Sequence, residues 1–106
     1  MNKTKKYQGV IVPMATPFTA AGKIDEQGAC RIIDHLCSAG VAGVFVLGTT
    51  GESASIATDQ KKKMADITVK HTNRRALTYA GISDNCFDNS VAAAKTYFDL
   101  GIDAVV

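Results

Sequence analysis

The segment Leu47-Gly48-Thr49-Thr50-Gly51-Glu52-Ser53 gathers residue types that grip a small anion: two glycines and three hydroxyls close together. Gly48 and Gly51 let the backbone turn tightly and approach a ligand. Thr49, Thr50 and Ser53 offer hydroxyls, and neighbouring N–H groups can point the same way, an arrangement suited to a carboxylate or phosphate. The same residues also describe an ordinary strand-to-helix turn whose hydroxyls satisfy local backbone groups, and spacing alone leaves both readings open.

The other reactive side chains read as architecture. Cys30 and Cys37 are seven apart on one helical pattern, which turns both toward the core, with no further metal ligands nearby. His35 and His71 stand on helices without a carboxylate or cysteine at ligand spacing, which predicts surface or packing roles and no metal site. Lys61-Lys62-Lys63 points around a helix instead of along one face, and reads as a solvated turn. Lys23, Lys70 and Lys95 likewise read as solvated. An imine-forming lysine needs a desolvated pocket or a cationic neighbour to lower its pKa. Pro13, inside a strand pattern, marks an edge, a bulge or a position whose N–H is not needed.

The elements that position the Gly48–Gly51 turn follow from hydropathy. Tyr7 to Thr16, Val41 to Gly48 and Arg75 to Ile82 are nearly continuous apolar runs, and Ala104-Val105-Val106 begins a fourth. Such runs suit parallel strands buried on both faces. Between them, Asp25 caps a helix with Ala29, Ile32, Ile33, Leu36 and Cys37 at helical spacing, stopped by Gly40. Thr58 is the expected cap of a second helix, whose buried side uses Met64, Ile67 and Thr68. Asp88 or Asn89 is the expected start of a third, with Val91, Ala94, Tyr97 and Phe98 on one side and Gly101 after Leu100.

The order is therefore β-α-β-α-β-α-β, and the turn lies at the carboxyl end of the second strand, where α/β folds place their sites. Gly40 and Gly101 each stop a helix before a strand, 61 residues apart, or about 30 per βα unit, the period of a (β/α)8 TIM barrel. A doubly wound sheet shares the alternation. A doubly wound phosphate-binding domain needs a glycine-rich loop after its first strand, which Thr16-Pro17-Phe18-Thr19 does not supply. Val106 falls inside an apolar run, so residues 1–106 read as the N-terminal portion of a single barrel domain holding about three and a half units.

Composition narrows the function classes. The 106 residues are 46% hydrophobic and 21% charged with a net charge of +2, an ordinary globular balance whose scattered basic residues do not form a nucleic-acid footprint. No apolar run approaches the roughly 20 residues of a membrane helix. The run after the basic N-terminus is too short for a signal peptide and contains Pro13. Three cysteines, an odd number with no C-x-x-C pair, fit a reduced, cytoplasmic setting.

Four segments together resemble the dihydrodipicolinate synthase and N-acetylneuraminate lyase family of class I aldolases: Thr16-Pro17-Phe18, Ala21-Gly22-Lys23-Ile24-Asp25, Gly48-Thr49-Thr50-Gly51-Glu52-Ser53 and Ala80-Gly81. The resemblance implies a (β/α)8 barrel, usually a homotetramer, that condenses or cleaves pyruvate-derived skeletons through a lysine Schiff base, with no metal and no organic cofactor. Its substrates are pyruvate and an aldehyde acceptor. By this resemblance Thr50 holds the pyruvate carboxylate with neighbouring N–H groups, Thr49 is a proton-relay hydroxyl, Gly48 and Gly51 set the turn, and Glu52 is structural support. The Schiff-base lysine and the tyrosines of the relay fall on later strands, outside residues 1–106, so this segment alone is expected to be inactive.

Ser53 favours the synthase side, with aspartate semialdehyde as acceptor; the alternatives are an N-acetylneuraminate lyase, a sugar-acid aldolase, or a non-catalytic partial barrel that binds a small carboxylate. Ser53, Ala54 and Asn85 match the pattern of the lysine-inhibited synthases. Thr58 and Lys61 stand where those carry histidines, and Asn89 replaces a glutamate, so lysine inhibition is not implied.

Overall fold

The structure, a computed structural model, describes residues 7–106, so the basic stretch at 1–6 lies outside the described residues. In chain order the elements are β1 (Ile11–Pro13), α1 (Glu26–Ser38), β2 (Gly43–Val46), α2 (Thr58–Thr72), β3 (Leu77–Ala80), α3 (Phe87–Leu100) and β4 (Ala104–Val105), with a 3-10 turn at Ser53–Ser55. The strands form one parallel sheet in the order β1-β2-β3-β4.

Register fixes which side chains share a face. Val12, Val44 and Thr78 are aligned, as are Val46, Ala80 and Val105. Because side chains alternate along a strand, Val44, Val46, Thr78 and Ala80 point one way, and all four are buried. Their face packs with Ile33 of α1 and with Met64, Ala65 and Ile67 of α2. Phe45, Leu77 and Tyr79 point the other way and are only half-buried. Burying each large apolar side chain contributes about 1.5–3 kcal/mol, so the stable side of the sheet is the one the helices cover. Strand order decides between the two architectures that alternation alone leaves open. A doubly wound sheet reverses direction beside its first strand. Here the order is strictly sequential, and α1 packs on α2 and α2 on α3, as in a (β/α)8 barrel.

α1 begins as expected: the Asp25 carboxylate accepts the Gly28 N–H at 3.0 Å, and Gly40, at φ +83°, follows the helix end. α2 differs. Ala57 occupies the cap position and Thr58 is already helical, with no side-chain cap bond. Its buried side is Met64, Ala65, Ile67, Thr68 and Thr72. α3 starts at Phe87 with Cys86 at the cap, not at Asp88 or Asn89. The expected stripe on α3 is also corrected. Tyr97 is buried and Ala93 and Leu100 join the core, whereas Val91 and Phe98 are exposed. Gly101 closes the helix at φ +107°.

Candidate functional site

β2 delivers the chain to the turn through two non-glycine residues in the left-handed region, Leu47 at φ 61° and Glu52 at φ 59°. Each such residue costs on the order of 1–3 kcal/mol and persists only where its surroundings impose it. Leu47 is buried in the core, which holds the first kink, while Glu52 is exposed. Between them the turn closes on itself: the Glu52 N–H donates to the Thr49 carbonyl at 3.0 Å and the Ser53 N–H to the Gly48 carbonyl at 3.3 Å. The Ser53–Ser55 turn then leads toward α2.

Each predicted site residue lies in this one turn. Gly51 is buried, Gly48 half-buried, and Thr49 and Thr50 exposed. Among the described residues, the amides of Gly48, Thr49, Thr50 and Gly51 donate to no carbonyl or side chain, and the hydroxyls of Thr49 and Thr50 have no partner. Four consecutive donors and two hydroxyls are thus exempt from the intramolecular pairing that backbone groups ordinarily find. Chemically, such a set can accept a carboxylate without breaking an existing bond.

Both glycines stand at close approaches. A Cβ on Gly48 would lie 2.9 Å from the Phe45 ring. One on Gly51 would meet the Leu47 nitrogen at 3.0 Å, the Thr16 hydroxyl at 3.1 Å and the Met14 carbonyl at 3.2 Å. Two further residues hold the turn from neighbouring strands. The Thr16 hydroxyl, after β1, donates to the Gly51 carbonyl at 2.6 Å. Gly81, after β3, donates its N–H to the Val46 carbonyl at 2.9 Å, and a Cβ there would lie 2.2 Å from the Leu47 carbonyl oxygen. In the sequence both residues belong to the segments that carry the family resemblance, and neither announces its contact. The contacts span 35 and 34 residues of sequence, and no local pattern encodes them.

Beside the aligned Phe45, the Tyr79 ring meets Tyr7 edge-to-face, with centroids 6.4 Å apart. Burial pushes the Tyr79 phenol up, helped by Tyr7 and Asp103. A separate cavity of about 320 Å³ lies between α2 and α3, lined by Ser53, Thr58, Lys61, Asp84, Asn89 and Tyr97 among others. The Cys86 N–H holds the Asp84 carboxyl below its ordinary range, aided by Asn89 and Lys61. Lys61 is half-buried against this cavity, unlike the solvated lysine expected there, whereas Lys62 and Lys63 are exposed. Ala54 and Asn85 do not line the cavity.

His71, which has no carboxylate at ligand spacing in the sequence, finds one in the fold. Its Nε2 lies 2.9 Å from Asp34 Oδ1, and Arg75 donates to the same oxygen at 2.8 Å. The carboxylate missing from ligand spacing comes from α1, 37 residues away. These two bonds, from His71 first and Arg75 second, hold the Asp34 carboxyl below its ordinary range. Among the described residues no group of three His, Cys, Asp or Glu side chains converges to hold a metal ion, and no helix is long and apolar enough to cross a membrane.

Sequential parallel strands with helices packed between them define the class: the N-terminal part of a (β/α)8 barrel. The chain matches the Dihydrodipicolinate synthetase family over residues 6–106 and belongs to that family. It is 39% identical over 101 residues to the 4-hydroxy-tetrahydrodipicolinate synthase of Methanothermobacter thermautotrophicus, covering 95% of this chain and 36% of the relative. The crystal structure of dihydrodipicolinate synthase from Aquifex aeolicus superposes with a TM-score of 0.90 at 28% identity, over 93% of this chain and 33% of that one. YagE from Escherichia coli K12, a prophage protein of the dihydrodipicolinic acid synthase family solved in complex with pyruvate, gives a TM-score of 0.90 at 30% identity, with the same coverage. The chain spans about a third of the length of these relatives.

Proposed function

We propose that the Gly48–Gly51 turn is the carboxylate-binding element of a Schiff-base-forming, pyruvate-dependent lyase or synthase. One observation carries the reading: four consecutive amides without acceptors stand beside two exposed threonine hydroxyls at the carboxyl end of a barrel strand. In this role the amides of the turn and the Thr50 hydroxyl receive the pyruvate carboxylate, with Gly48 and Gly51 giving it access. Preorganised donors orient the keto carbon without reorganising during reaction. The Thr49 hydroxyl passes protons as the imine forms and collapses. The lysine nucleophile belongs to a later strand of the complete barrel, and the reaction takes neither a metal nor an organic cofactor.

Within the family we assign the acceptor as aspartate semialdehyde, making the whole protein a 4-hydroxy-tetrahydrodipicolinate synthase of lysine biosynthesis, cytoplasmic and homotetrameric. What supports this choice is Ser53 after the turn and the 39% identity to the Methanothermobacter synthase.

Titrating the 15N-labelled complete barrel with pyruvate and following the amide resonances of the turn tests the site. The largest shifts are expected at Gly48, Thr49, Thr50 and Gly51. Shifts confined elsewhere refute the assignment. Borohydride added with pyruvate is expected to leave the 106-residue chain unlabelled, and a trapped adduct on any of its lysines would overturn the placement of the nucleophile. In the complete barrel, pyruvate-dependent turnover with aspartate semialdehyde is expected to exceed that with sugar-derived aldehydes or N-acetylmannosamine; the reverse order assigns an aldolase or lyase instead.

A further inference from the structure

We infer that Thr16 is a positioning residue: its hydroxyl locks the Gly51–Glu52 peptide and thereby holds the neighbouring amides in the geometry that receives an anion. The inference rests on the pyruvate reading for its ligand and on local geometry for its mechanism. Thr16 lies beyond the end of β1 and is only 5% exposed, so its hydroxyl needs a protein partner. That partner is the Gly51 carbonyl, at 2.6 Å.

A peptide unit is rigid and planar, so fixing its carbonyl also fixes the N–H on its other side. In the Gly51–Glu52 unit that N–H donates to the Thr49 carbonyl at 3.0 Å. One peptide plane is therefore held at both ends, by β1 through Thr16 and by the turn through Thr49. The Thr49 carbonyl belongs in turn to the peptide whose N–H is that of Thr50, one of the undonated amides. Thr16 thus acts on the anion-receptive groups through two linked peptide planes, without touching a ligand.

Space around Gly51 reinforces the lock. The Thr16 hydroxyl, the Met14 carbonyl and the Leu47 nitrogen all lie within 3.2 Å of where a Cβ would stand, so Gly51 is packed closely against the exit of β1. Thr16→Val keeps the shape and removes the donor, so the Gly51 carbonyl is left unpaired.

Amide hydrogen exchange by NMR separates this role from general support. With Thr16→Val, exchange at Glu52 is expected to rise about tenfold, the worth of one ordinary hydrogen bond, while the Gly81 amide on the Val46 carbonyl stays at its original rate. Thr16→Ser is expected to restore Glu52 protection to within about threefold, because the hydroxyl is retained. Equal loss in both variants would show that retaining the hydroxyl does not protect Glu52, and sinks the inference. So does unchanged Glu52 exchange in Thr16→Val.

Should the valine variant fail to fold, the unmutated chain still decides the matter. Its Thr16 hydroxyl proton is expected to be protected and observable, and exchange at the solvent rate overturns the lock. Pyruvate titration then separates the two readings. About tenfold weaker binding in Thr16→Val, recovered in Thr16→Ser, supports both. Absence of any pyruvate response in the complete barrel with a protected Thr16 hydroxyl refutes the carboxylate reading and leaves the lock standing. Full pyruvate affinity in Thr16→Val refutes the lock.

Discussion

Replacing Gly81 with alanine adds one methyl group at the point where β3 leaves the sheet. That carbon would stand 2.2 Å from the Leu47 carbonyl oxygen and 2.8 Å from its carbonyl carbon, whereas ordinary contact begins near 3.4 Å. The obstacle is backbone, so a side-chain rotation cannot relieve it, and the two strand exits must separate by about 1 Å or more. Overpacking of this kind costs about 1–3 kcal/mol. Alanine returns about 0.4–1 kcal/mol by restricting the unfolded chain. The net expectation is a loss of about 1–2 kcal/mol, which for a chain of this length lowers Tm by roughly 5–15 °C. Urea unfolding followed by circular dichroism reads the change as a lower midpoint at constant slope. NMR is expected to place the largest shifts at Leu47, Gly48 and Thr49, the segment pushed by the new methyl group. An alanine variant as stable as the parent, with those resonances unmoved, would falsify the steric argument.

Three other perturbations test separate parts of the structure. Asp25→Ala removes the α1 cap bond to the Gly28 N–H and is expected to cost about 1 kcal/mol in urea unfolding; no change means that solvent serves the helix end equally well. Thr72 carries a buried hydroxyl without a partner among the described residues, so Thr72→Val is expected to stabilise the chain by about 1 kcal/mol, and a destabilised variant refutes that. Asp34 titrates below its ordinary range when folded, so its contribution to stability is present above the unfolded carboxyl pKa and is lost as pH falls through the lower folded value. Unfolding midpoints measured across acid pH are expected to show that loss in the parent, and a parallel curve for Asp34→Asn denies the helix link a role.

The alternation of strands and helices was legible because its signals are local, whereas the sequential strand order that makes it a barrel is not. Continuous apolar runs mark strands, the Asp25 cap and the Gly40 and Gly101 stops bound helices, and the Leu47–Ser53 composition names a turn. Three features were not local. Thr58 is a good cap by type, yet the chain enters α2 one residue earlier, with Ala57 in the cap position. Val91 and Phe98 share a helical side with apolar neighbours, but α3 turns Ala93, Tyr97 and Leu100 to the core and leaves those two exposed. His71 looked isolated because its carboxylate arrives from another helix, and only tertiary structure brings Asp34 beside it. The same reasoning explains the candidate site: its residues could be named from sequence, whereas the grip of Thr16 and Gly81 on the turn is a product of parallel strand pairing.

Leu47 and Glu52 are left-handed although neither is glycine, so the loop between them does not own its shape. Cut out as a heptapeptide and grafted onto a foreign scaffold, it would relax to ordinary dihedrals and scatter its free amides. The smallest portable unit is the trio of adjacent strand exits, carrying Thr16 on one flank and Gly81 on the other. Anyone seeking to transplant this turn would have to move a piece of sheet with it.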